Sequence, residues 1–174
     1  MRGPVVLICT LIAIAAAGEP TPDSQPPRTG VPMPEFLLFD LGQRPVRLAD
    51  LQQPVVVLNF FAFWCDTWIA QLPQLRELVA QQEEMGFQFL SINVDGAWTD
   101  QLEEVCGQEG VPFPVLVDRG SRLSRELGLR HIPTILVLNS QRTIRFAYER
   151  YPGNLVVLQG IRAAMSARPS DPAQ

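Results

Sequence analysis

Residues 55–68 read Val-Val-Val-Leu-Asn-Phe-Phe-Ala-Phe-Trp-Cys-Asp-Thr-Trp, an apolar run that stops at a cysteine. Val55 to Phe61 is rich in β-branched and aromatic residues without polar alternation, the pattern of a strand buried on both faces of a sheet. Beyond Cys65 the period changes. Ile69, Leu72, Leu75, Leu78 and Val79 recur at three-to-four spacing within 66–85, which predicts an amphipathic helix, kinked at Pro73 and ended by Gly86. Cys65 therefore falls at or just before a helix N-terminus. Unpaired N–H groups and the positive end of the helix dipole favour a thiolate over a thiol there, which makes Cys65 the candidate nucleophile. A packed, inert cysteine is the plain alternative.

The alternation continues on either side. Upstream, residues 35–40 and 45–48, separated by Leu41-Gly42-Gln43, read as a hairpin laid beside the main sheet. Downstream come a strand over 87–94, a helix over 99–108, a short apolar run over 115–117 and a helix over 122–127. Strands over 134–138 and 143–148 follow, then a closing helix over 154–167. Strands alternating with helices predict an α/β fold, a central mixed β-sheet flanked by helices. With 174 residues, 47% of them hydrophobic and 18% charged, the chain suits one such domain.

The ends read differently. Arg2, an apolar run from Val5 to Ala17 and the small residues Ala15, Ala16 and Ala17 have the layout of a secretory signal over 1–17, cleaved near Ala17. Left uncleaved it would anchor the chain, although the run is shorter than the ~20 residues of a full span. Cys9 lies inside it. Residues 18–34, with Pro20, Pro22, Pro26, Pro27, Pro32 and Pro34, read as a flexible tether, and 168–174 as a frayed tail. The domain itself is expected over 35–167. Once exported it retains Cys65 and Cys106 in a compartment that permits disulfides, free to pair with each other or to serve separately. A net charge of -4 and the lack of a cationic run argue against nucleic acid as a partner.

The run around Trp64-Cys65, Pro73 in the following helix and Ile132-Pro133-Thr134 before a strand together resemble the thioredoxin superfamily. The front hairpin, the insert over 99–118 with its Val-Pro-Phe-Pro-Val-Leu-Val-Asp run, and the exported N-terminus are similar to its TlpA/ResA-like branch of disulfide reductases. That resemblance implies a thioredoxin fold with an N-terminal hairpin extension. It also implies a cis Pro133 lying against Cys65 and an Ile132 backbone that pairs with an extended client segment, with Thr134 shaping the groove. Trp64 and Trp68 flank the cysteine and offer an apolar surface to such a segment, with packing against the loop as the alternative for either.

The chain departs from that pattern at the second cysteine. A Cys-x-x-Cys site resolves its own mixed disulfide through the second thiol; here that position is Trp68, leaving Cys-Asp-Thr-Trp. The acidic positions six residues before and after the first cysteine are Asn59 and Gln71. Three readings follow. In the first, Cys65 alone exchanges with disulfides of an exported protein or a small thiol, and an external thiol acts as resolver and reductant. The second is a redox-inactive binding or scaffold module that keeps the groove. The third is a thiol peroxidase in which Cys106 resolves Cys65, although the proline and threonine of a peroxidase site are here Leu58 and Ala62. Otherwise Cys106 is structural. One histidine, His131, cannot assemble a metal site, and neither a cofactor nor a metal is expected. The membrane is a partner only if the N-terminal segment stays uncleaved.

Overall fold

The computed structural model of the protein describes residues 28–96 and 100–166. Residues 1–17, most of the Pro-rich stretch and the tail 168–174 therefore lie outside it. All seven residues of β3 (Val55–Phe61) are buried. Val55, Val57 and Phe61 enter one core, and Val56, Leu58 and Phe60 the other, as expected when both faces of a strand are covered.

The elements follow in order as β1 (Leu37–Asp40), β2 (Pro45–Arg47), β3, α1 (Asp66–Val79), α2 (Gln82–Met85), β4 (Phe87–Asn93), α3 (Asp100–Gln108), β5 (Val115–Val117), α4 (Arg122–Glu126), β6 (Thr134–Leu138), β7 (Ile144–Glu149) and α5 (Asn154–Ser166). Seven strands form one mixed sheet in the order β2-β1-β5-β4-β3-β6-β7. β3, β4 and β5 run parallel, while β6, β7, β1 and β2 each join antiparallel to their neighbours. The first core takes Trp68, Leu72, Leu75 and Leu78 of α1, Leu102 and Cys106 of α3, and Val157 and Ile161 of α5. The second takes Met33, Phe36, Leu48, Leu51 and Leu123 of α4. This is the α/β arrangement read from the sequence, a central mixed sheet with helices on both faces.

Three local readings change. The front hairpin belongs to the sheet, because β1 pairs with β5 through Phe39↔Val117. The helix over 66–85 is two: α1 runs through Pro73 to Val79, Ala80 and Gln81 intervene, and α2 restarts at Gln82, whose Oε1 accepts from the Phe89 N–H at 3.3 Å. Gly86 closes it at φ 69, where a glycine carries no Cβ penalty. The ordered chain begins before Glu35. Gly30 N–H donates to Ile144 O at 2.7 Å, Ile144 N–H to Val31 O at 2.9 Å, and Met33 is buried. The segment covers part of the open edge of β7, whose N–H and C=O groups otherwise face solvent. Among the described residues no helix is long and apolar enough to cross a membrane.

Candidate active site

The parallel strands β3, β4 and β5 end at one pole of the sheet, and the loops leaving them meet there. Past Phe61 the chain turns through 62–64, with Cys65 N–H donating to Ala62 O at 3.1 Å. Cys65 is the N-cap of α1, extended at φ -85, ψ 104; its carbonyl accepts from Trp68 N–H at 2.9 Å and Ile69 N–H at 3.2 Å. Its side chain makes no capping hydrogen bond and is partly exposed. The thiol therefore belongs to the N-cap residue of a 14-residue helix, is not used by the cap and is reachable from solvent. Asp66 is exposed in the first turn, where an acidic side chain complements the helix dipole.

The proline loop lies beside it. Register pairs Phe60 with Thr134, so Pro133 is level with Phe61 and Ile132 with the turn that carries Cys65. The Ile132–Pro133 peptide is cis. Pro133 O accepts from Arg150 N–H at 2.9 Å, and the Thr134 hydroxyl donates to His131 O at 2.6 Å, closing the loop on itself. No backbone hydrogen bond among the described residues uses Ile132, which is partly exposed. Pro133 and Thr134 are buried, so Thr134 braces the loop from beneath and does not line a groove. His131 lies outside on an exposed corner with Nδ1 3.4 Å from Glu149 Oε2, and no metal-binding cluster occurs among the described residues.

The two tryptophans separate. Trp64 is 65% exposed and stands at the rim, whereas Trp68 is fully buried and stacks on Phe61 with ring centroids 4.0 Å apart. Trp68 thus cannot offer a surface to a client. It faces inward because its position on α1 points at β3, where the indole fills the first core. Its Nε1 has no hydrogen-bond partner, and neither do Asn59 Oδ1 and Gln71 Oε1, although Asn59 Nδ2 donates to Ser91 Oγ at 2.9 Å. No carboxylate stands at these positions, so acid–base help for the sulfur is absent there.

Cys106 sits on α3 in the first core, 6% exposed. Burial pushes its thiol up to about 11. Cys65 and Cys106 are both free thiols, and a resolver of this kind would be neutral and enclosed at physiological pH, which weighs against the paired-thiol cycle.

Asp95 is a site residue that sequence patterning passed over. Its Oδ1 accepts from Trp64 Nε1 at 2.7 Å and its Oδ2 from Phe63 N–H at 3.1 Å and Asn93 Nδ2 at 2.5 Å. The loop holding it is pinned in turn by Val94 N–H to Phe61 O at 2.9 Å and Ser121 Oγ to Val94 O at 3.0 Å. An acid just past the end of a strand parallel to β3 was the available signal. A groove of about 400 Å³ between β1 and α4, lined by Phe36, Phe39, Arg119 and Arg122 among others, includes neither Cys65 nor Pro133. Around the sulfur Trp64 and Asp66 are exposed and Cys65 and Ile132 partly so, a surface that an extended chain can reach.

Comparison with known proteins agrees with this fold. Residues 29–147 match the AhpC/TSA family. The chain is 28% identical over 118 residues to thiol-disulfide oxidoreductase ResA of Bacillus thuringiensis (strain Al Hakam), covering 67% of each. It is 28% identical over 116 residues to ResA of Geobacillus thermodenitrificans, covering 67% of this chain and 66% of that one. The match thus spans about two thirds of these relatives' length. Among solved structures, a thio-disulfide isomerase from Thermus thermophilus superposes with a TM-score of 0.66 at 25% identity, over 79% of this chain and 96% of that one. StoA from Bacillus subtilis superposes at 0.63 with 19% identity, over 74% and 96%.

Proposed function

We propose, on the premise that this chain belongs to the AhpC/TSA family and has the thioredoxin fold, that it is a thiol-disulfide oxidoreductase working through one sulfur. The observation that carries the reading is Cys65 itself: a partly exposed thiol at a helix N-terminus, unused by the cap, at the end of the sheet where the Ile132–Pro133 loop also emerges. The Cys65 thiolate attacks a client disulfide, forming one S–S bond to a client sulfur and releasing the other as thiolate. An external thiolate then attacks the adduct, regenerates Cys65 and leaves with the client sulfur as a new disulfide. Electrons balance across the two exchanges, and no second internal thiol takes part. The client is an extended, disulfide-bearing exported protein or a small disulfide, docked along Ile132 above Pro133. The layout of residues 1–17 supports export, to a periplasmic or extracellular location or to a membrane surface if the segment is retained.

Mass analysis of purified protein treated with a model disulfide tests this. Wild type should gain one adduct that added thiol releases, and Cys65→Ser should gain none. Absence of an adduct from neutral to alkaline pH overturns the exchange reading. It would favour a redox-inactive binding module, a second reading supported by Trp68 filling the resolving position as core.

A further inference from the structure

Trp64 is the largest apolar side chain at the site that solvent reaches, and its polar atom is already occupied. Asp95 Oδ1 takes the indole N–H at 2.7 Å while Oδ2 holds the Phe63 N–H at 3.1 Å, so one carboxylate fixes both the ring and the backbone just before Cys65. Asp95 is itself held, through Asn93 Nδ2 at 2.5 Å and its own N–H to Asn93 Oδ1 at 3.2 Å. An exposed indole left to itself samples several rotamers, and its N–H would be hydrated. Tied by its N–H edge, it offers a client only the apolar face, at a set angle to the sulfur.

We infer that Asp95 is a positioning residue that makes Trp64 a fixed apolar wall, so that the site prefers clients carrying an apolar side chain next to the attacked cysteine. This deepens the single-thiol reading and rests on it. Wall and sulfur belong to one turn, so a client side chain that covers the indole brings the adjacent S–S bond towards Cys65. The gain appears in reaction rate with extended substrates and is absent with a small disulfide that has no side chain to place.

Two peptides of about ten residues, each with one cysteine activated as its mixed disulfide with thionitrobenzoate and with Leu or Ser beside that cysteine, test this with a common leaving group. Wild type should react about tenfold faster with the Leu peptide than with the Ser peptide. Asp95→Asn, which can still accept from Phe63 N–H but cannot hold the indole as well, should bring the ratio close to one. Trp64→Phe keeps an apolar ring yet has no N–H to give Asp95, so it should lose the preference equally, and the double variant should lose no more than either. An indole N–H resonance assigned to Trp64 should shift in Asp95→Asn while that of Trp68 stays in place. A wild-type ratio near one, or an undiminished ratio in both single variants, overturns the inference. If Asp95→Asn fails to fold, Trp64→Phe decides it alone. No reaction of Cys65 even with the small aryl disulfide would instead overturn the exchange reading beneath it.

Discussion

Cys65 and Cys106 both sit on helices facing the same side of the sheet, and their surroundings assign them opposite chemistry. Cys65 caps the first turn of α1, partly exposed, its sulfur at the end where backbone N–H groups are unpaired. Cys106 lies in the second half of α3, 6% exposed, facing Leu102 and the rest of the first core. The second placement penalises a charged sulfur, while the first leaves the sulfur within reach of solvent. Helix position and burial separate the two thiols without any difference in residue type.

The largest effect is on alkylation. Because burial pushes the Cys106 thiol up to about 11, its thiolate fraction near neutrality is about a hundredfold below that of an unshifted thiol, before enclosure slows it further. Mapping iodoacetamide adducts by mass spectrometry should find Cys65 modified and Cys106 protected until the fold opens. Equal labelling of the two in folded protein would remove the contrast.

Trp68 asks whether the site could be rebuilt as a dithiol. Trp68→Cys restores the Cys-x-x-Cys spacing, yet it removes a fully buried indole stacked 4.0 Å from Phe61. A change of this size in a core costs about 3 kcal/mol or more. Urea titration should show the midpoint falling accordingly, whereas Trp64→Ala, at the exposed rim, should shift it by no more than about 0.5 kcal/mol. A Trp68→Cys protein as stable as wild type would mean that the stack contributes little.

Cys106 also makes a pH prediction whose sign follows from its direction of shift. The folded state holds the Cys106 proton more tightly than the unfolded chain, so its contribution is complete below the ordinary thiol value of 9.0 and is lost as pH rises towards about 11. Denaturation midpoints of wild type should fall across that window by more than those of Cys106→Ala. Parallel curves would place the proton elsewhere.

These contrasts were unevenly legible in the sequence. β3 and β6 declare themselves because a strand buried on both faces needs no partner to be recognised: apart from Asn59 and Thr134 their residues are apolar. The thiol at the start of α1 was legible for the same reason, from a change of period at one cysteine. Trp68 was not, because whether an indole faces solvent or core depends on Phe61 lying across the interface, and both positions are aromatic. Met33 stands among prolines that spell a tether, because its burial depends on Arg142 and Ile144, over a hundred residues away. Asp95 stayed hidden for a related reason: its three acceptor contacts close between two loops, and no period connects them.

The smallest expected effect concerns the brace under the docking edge. Thr134 is 1% exposed and its hydroxyl donates to His131 O at 2.6 Å, within the loop that carries Ile132 and Pro133. Thr134→Val keeps shape and β-branching but leaves the His131 carbonyl without that donor, in a part-buried position where water replaces it incompletely. The cost in stability should be about 1 kcal/mol, read as a lower urea midpoint. Exchange with an extended peptide disulfide should slow by a larger factor than exchange with a small aryl disulfide, because only the peptide needs Ile132 in place. Equal slowing of both would assign Thr134 to Cys65 packing, and slowing of neither would leave the loop held by Arg150 N–H to Pro133 O alone.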